Sequence, residues 1–187
     1  MIVELDAGQI VIQKEMLISD KTYISDVYDF IGTNCPEMFL EAVNGFGNKS
    51  IKLQYQPKDS SLLLRCYPRI PKDGEIDWNR SGFELDKLIR TVSKPFSGAY
   101  TFLNSKRLIV WKAHCESSLF PFFGTPGQVA ERRLKTGEVA IITDEGFLVL
   151  EEVEIESKGC KKATNIIKTT RTRLGMDITG EILSIKK

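Results

Sequence analysis

A chain of 187 residues with 42% hydrophobic side chains can bury the cores of one or two small domains, which excludes a disordered or low-complexity polypeptide. No apolar run approaches membrane-spanning length and the amino terminus lacks the basic and apolar regions of a signal peptide, so no membrane partner and a cytoplasmic location are expected. The formal net charge of +1 conceals a basic end, where Lys158, Lys161, Lys162, Lys168, Arg171, Arg173, Lys186 and Lys187 stand against only Asp177 and Glu181.

In chain order, Leu5-Asp6-Ala7-Gly8 reads as a turn, and Gly8 suits either turn geometry or close backbone approach to a ligand. The alternating residues 10–18 predict a strand. Residues 22–44 predict an amphipathic helix carrying Tyr23, Val27, Phe30 and Ile31, then Met38, Phe39, Leu40 and Val43, with Ser19 or Asp20 as cap and Gly45 as stop. Pro36 requires either a kink or two shorter helices meeting near Asn34. One strand and one helix do not complete a doubly wound domain, so the first part of the chain reads as truncated.

Residues 50–78 are irregular, punctuated by Pro57, Pro68, Pro71 and Gly74, and read as a linker. Phe83, Leu85, Leu88, Ile89 and Val92 have the spacing of a short helix. Five short β-rich runs follow, at 99–103, 107–113, 127–130, 138–143 and 147–155, which suits a small barrel or another small β fold. Residues 161–174 read as a closing helix ended by Gly175 and carrying Lys168, Arg171 and Arg173. The fold class is therefore α+β. Cys35, Cys66, Cys115 and Cys160 are scattered without metal or redox spacing, so reduced thiols and no metal site are expected. His114, beyond the second β run, reads as a strand-end residue rather than an acid or base.

Several segments, taken in order, carry a family resemblance. Leu5-Asp6-Ala7-Gly8, Asp73-Gly74-Glu75-Ile76-Asp77-Trp78, Leu88-Ile89-Arg90 with Pro95-Phe96-Ser97-Gly98-Ala99-Tyr100-Thr101, Thr125-Pro126-Gly127-Gln128-Val129 and Thr143-Asp144-Glu145-Gly146 resemble the last catalytic loop, linker and C-terminal domain of the formyltransferases related to methionyl-tRNA formyltransferase. The resemblance implies the remnant of a Rossmann-like catalytic domain over residues 1–57, a linker over 58–80, and an OB-like barrel with its closing helix over 81–187. It further implies 10-formyltetrahydrofolate as cofactor, Asp6 as a catalytic residue, Gly8 beside the cofactor, and a methionyl-tRNA or amino sugar nucleotide acceptor. Lys168, Arg171 and Arg173 would suit the acceptor's phosphates.

Formyl transfer needs an oxyanion stabiliser and a route for the amine's proton, which the family supplies with Asn, His and Asp together. Only the Asp is matched here, and no His-x-Ser-Leu-Leu-Pro segment occurs. The chain alone is therefore expected to be inactive, with self-association or a partner carrying the missing half as its expected associations. The competing expectation is a non-catalytic barrel module that holds RNA or a nucleotide through phosphate contacts.

Overall fold

The computed structural model describes residues 8–57, 59, 64, 66–118, 122–155 and 158–176. Asp6 lies outside the described residues. The chain divides into two compact units, Met1–Ser19 with Asp26–Arg69, and Asp20–Ser25 with Ile70–Lys187.

In the first unit the dominant element is α1, Ile24–Gly47, which begins in the connecting residues and runs unbroken through Pro36. Of the alternatives open at Pro36, a single helix forms. Past its last turn, Lys49 adopts a left-handed conformation (φ 61) and the Ser50 N–H returns 2.9 Å to the Gly45 carbonyl, which turns the chain away two residues later than the glycine signal at 45 suggests. The strand expected at 10–18 does not form. Its ladder contact among the described residues is the Ile10 bridge to Gln54, through N–H···O bonds of 2.8 and 3.0 Å. Alternation alone does not make a strand where no neighbouring strand lies alongside to take its hydrogen bonds.

The second unit is built on a six-stranded antiparallel sheet: β1 (Ala99–Leu103), β2 (Lys106–Glu116), β3 (Val129–Arg133), β4 (Glu138–Ile142), β5 (Phe147–Ile155) and the two-residue β6 (Lys161–Lys162). The order is β1-β2-β5-β4-β3, with β6 added to β5, and no pairing joins β1 to β3 among the described residues. The sheet is thus open along its hydrogen-bonded path, not a closed barrel. Residues in alternation give the core: Leu108 and Val110 of β2, Val139 and Ile141 of β4, and Leu148 and Leu150 of β5 are fully buried.

Helix α2, Gly82–Val92, lays Leu85 and Ile89 into that core. Its start is a reciprocal cap in which Ser81 Oγ accepts the Glu84 N–H and the Glu84 carboxylate accepts the Ser81 N–H, both at 3.3 Å. The expected long closing helix is a correction. Only α3, Ala163–Ile166, is helical; Lys161 and Lys162 are strand, and Lys168, Arg171 and Arg173 lie in non-helical chain beyond it. Arg132 explains the early stop in part, because its guanidinium donates to the carbonyls of Ile167 (2.8 Å) and Thr164 (3.2 Å), which a continuing helix would use itself.

Candidate functional site

The basic segment and the linker motif meet in one place. A cleft of about 450 Å³ lies in the second unit between Glu75, Asp77, Trp78 and Asn79 on one side and Pro126 and Arg173–Met176 on the other. Its floor is fixed by Trp78, which is buried and donates its indole N–H to Thr101 Oγ1 at 3.0 Å. The carboxylates of the rim are engaged: Glu75 accepts from Tyr100 Oη at 3.1 Å, and Asp77 Oδ1 accepts from the Asn79 backbone and side-chain nitrogens at 3.1 and 2.9 Å. Burial, together with the adjacent Glu75 carboxylate, pushes the Tyr100 phenol above its ordinary pKa, so it remains a donor to Glu75. Arg107 stacks over the Tyr100 ring, 3.9 Å from its centroid.

Backbone lacing holds Arg173 at this rim. Val129 N–H donates to Thr172 O (3.1 Å), Leu174 N–H to Gly127 O (2.7 Å) and Gly175 N–H to Phe102 O (3.0 Å). Arg173 is exposed, and its Nε donates to Pro126 O at 3.3 Å. Of the three basic candidates, Arg173 lines the cleft, whereas Lys168 and Arg171 are exposed on the same segment but outside its lining. Gly8, in the other unit, is exposed; its carbonyl accepts from Gln56 Nε2 at 2.7 Å, and among the described residues nothing stands within 4 Å of where a Cβ would sit.

Sequence reasoning passed over a second polar constellation on the sheet. Lys112, His114 and Glu116 share one face of β2 by their spacing of two, a signal readable in advance. The strand extends to Glu116, so His114 lies inside it rather than past its end. His114 Nδ1 is 2.9 Å from Glu151 and Nε2 is 3.2 Å from Glu116, while Arg133 grips Glu116 with two bonds of 2.7 Å and Lys112 reaches Glu151 at 3.2 Å. Partial burial disfavours the charged imidazole, but hydrogen bonds to Glu151 and Glu116 prevail and raise its pKa. The Arg133 fork holds Glu116 down at about 2. With every member partnered, this is an ion-pair network that ties β2, β3 and β5 together.

The network sets a pH signature. A raised imidazole pKa stabilises fully below the ordinary value of 6.5 and loses that contribution as pH rises through the folded value; a depressed carboxyl stabilises above 4.5 and loses it as pH falls toward about 2. The urea midpoint is therefore expected to fall on both flanks. His114→Asn should flatten the alkaline flank and Glu116→Gln the acid one; profiles superimposable on wild type would refute the assignment.

With this geometry in hand, the chain compares with known proteins as follows. Residues 69–171, more than half of the chain, match the model of the formyl transferase C-terminal domain. The chain belongs to the formyltransferase family. It is 28% identical over 158 residues to the methionyl-tRNA formyltransferase of Streptococcus thermophilus, covering 84% of this chain and 48% of that protein. Over 63 residues it is 41% identical to the bifunctional polymyxin resistance protein ArnA of Wigglesworthia glossinidia brevipalpis, covering 34% of this chain and 9% of that one. The fold is also that of HypX from Aquifex aeolicus in complex with tetrahydrofolic acid, with a TM-score of 0.63 at 18% identity over 89% of this chain and 28% of HypX. The chain spans about half the length of the methionyl-tRNA formyltransferases it matches. Among the described residues no helix is long and apolar enough to cross a membrane, and no group of three His, Cys, Asp or Glu side chains could hold a metal ion.

Proposed function

We propose that this chain is the C-terminal portion of a cytoplasmic, 10-formyltetrahydrofolate-dependent N-formyltransferase, inactive by itself, that completes an active site built mainly by a preceding half. The observation that carries this reading is the family match over residues 69–171, with alignments to methionyl-tRNA formyltransferases that extend over 84–92% of the chain yet cover only 48–54% of those proteins. On this reading, residues 1–57 end a Rossmann-like catalytic domain, 58–80 are its linker and 81–187 form an OB-like domain. Asp6 contributes the catalytic carboxylate and Gly8 stands beside the cofactor. HypX, a relative in fold, has been solved with tetrahydrofolic acid, which supports folate use by the complete enzyme.

The described residues do not by themselves fit the folate. The single histidine is committed to Glu151 and Glu116, and the cleft beside Trp78 is rimmed by carboxylates that already have donors. On this reading the remainder of the pocket is supplied by a preceding half. At the acceptor end, Lys168, Arg171 and Arg173 share one exposed segment, which suits the phosphates of a methionyl-tRNA or an amino sugar nucleotide.

The purified chain, given 10-formyltetrahydrofolate and either acceptor, is expected to show no turnover above the uncatalysed rate. Joined to an amino-terminal half, it should turn over, and Asp6→Asn should then lower the rate by roughly 100-fold or more. Turnover by the chain alone would overturn the proposal. The exposed basic segment also favours a second reading, a non-catalytic RNA-binding module. Affinity for tRNA that falls steeply with salt and is lost in K168E/R171E/R173E, without any rate in the joined protein, would select it.

A further inference from the structure

The cleft beside Trp78 carries both signs of charge, and they do not neutralise each other. Its charged lining residues are Glu75, Asp77 and Arg173, and among the described residues no ion pair joins the arginine to either carboxylate. Each is held by a neighbour through only part of its polar atoms. Tyr100 donates to Glu75 Oε2 and Asn79 to Asp77 Oδ1, so Glu75 Oε1 and Asp77 Oδ2 have no donor among the described residues. Pro126 O engages Nε of Arg173, and its Nη1 and Nη2 have no acceptor among them. The cleft is also built into the fold. The hydrogen-bonded path of the sheet ends at β1 and β3, and residues 172–175 lace the two ends together, Gly175 N–H donating to Phe102 O and Thr172 O accepting from Val129 N–H. Gly175, at φ +91, lies so near the indole that an added Cβ would stand 2.9 Å from Trp78 Cδ1. Its volume of about 450 Å³ is that of a small-molecule site.

The mixed charge selects the occupant. An anion alone, or a chain of phosphates, would meet two carboxylates, and a cation alone would meet the guanidinium; each leaves groups of the cleft facing like charge. A molecule that carries both charges satisfies both sets. Pro126 and Met176 add apolar surface to the lining. We infer that this cleft binds a small zwitterion, an ammonium joined through a short apolar body to a carboxylate or a phosphate, with the ammonium on Glu75 Oε1 and Asp77 Oδ2 and the anionic group on the Arg173 guanidinium. Every residue lining the cleft belongs to the second unit, so the site goes beyond the formyltransferase reading and does not rest on it.

The test titrates the full 187-residue chain by calorimetry with two zwitterions, L-leucine for the carboxylate and phosphoethanolamine for the phosphate. Leucinamide and ethanolamine keep only the cation, and N-acetylleucine and ethyl phosphate only the anion. At least one zwitterion is expected to bind roughly tenfold or more tighter than its single-charge analogues, and which one binds identifies the anionic group. Arg173→Gln should reverse the preference, so that the cation-only analogue binds at least as tightly as its zwitterion. Glu75→Gln with Asp77→Asn should favour the anion-only analogue instead, while the side-chain oxygens still accept from Tyr100 and Asn79. Circular dichroism and the urea midpoint check that both variants fold, and a merely structural loss would weaken all ligands alike. No binding of either zwitterion up to roughly 10 mM, single-charge analogues that bind as tightly as the zwitterions, or a preference that neither variant alters would overturn the assignment.

Discussion

Gly127→Ala is expected to lower the stability of the second unit by about 3 kcal/mol, from about 1–2 kcal/mol for placing a side chain in left-handed backbone and a similar amount for overpacking. Gly127 has φ +84, and a Cβ built there would stand 2.6 Å from the Leu174 carbonyl oxygen and 3.3 Å from the Trp78 ring. The obstruction is backbone, so no side-chain rotation relieves it. Relief requires the 172–175 segment to move, and that segment is held by the 2.7 Å bond from Leu174 N–H to Gly127 O. The same shift would carry Arg173 away from the rim of the cleft. Gly159→Ala supplies the comparison, because Gly159 has φ +78 but, among the described residues, nothing within 4 Å of the added methyl. It should lose only the backbone part, about 1–2 kcal/mol. Urea midpoints at constant slope measure both. Equal losses at the two glycines would mean that the close approach of Leu174 contributes nothing.

This region also shows what the sequence makes legible. The strands at 99–103 and 147–155 and the helix ending at Val92 stand where apolar period puts them, because each buries one face against the same core. The strand at 10–18 and the long helix at 161–174 failed for a shared reason: both readings used local pattern, whereas the outcome turned on distant partners. Among the described residues Ile10 pairs with Gln54 alone, and Arg132 draws the carbonyls of Thr164 and Ile167 out of helical use. The basic trio was visible as charge, but its division was not. The long-range bonds of Gly127, Phe102, Val129 and Pro126 place Arg173 at the cleft while leaving Lys168 and Arg171 outside it. The linker motif Asp73-Gly74-Glu75-Ile76-Asp77-Trp78 drew attention by resemblance, and its physical content is the floor and rim of that cleft.

Arg90→Ala is expected to cost about 3–5 kcal/mol, the usual consequence of leaving one member of a buried ion pair without its partner. Asp86 and Arg90 are each 6% exposed on the inner side of α2, with Nε 3.2 Å from Oδ2. Burial raises the Asp86 pKa, and Arg90 opposes that rise both as a charge and as a hydrogen-bond donor. The same guanidinium donates through Nη1 to Thr22 O at 3.2 Å, so it also holds residues 20–25 within the sheet-bearing unit, beside the Tyr23 hydroxyl bond to Ala113 O. Without Arg90 the Asp86 carboxyl must take up a proton to remain buried. Its folded pKa then rises further above the ordinary 3.8, and a raised carboxyl contributes stability below that value and loses it as pH climbs through the folded one. The deficit of R90A should therefore be largest at neutral pH and shrink as the solution is acidified toward pH 4. The paired change Asp86→Leu with Arg90→Met should recover most of the loss, because it removes both charges and keeps the volume. What it does not recover is the donor to Thr22 O, and a double-mutant cycle isolates that remainder. A deficit in R90A that is flat from pH 7 to pH 4 would show that Asp86 stays charged without its arginine, and that the loss lies in packing and the Thr22 contact alone.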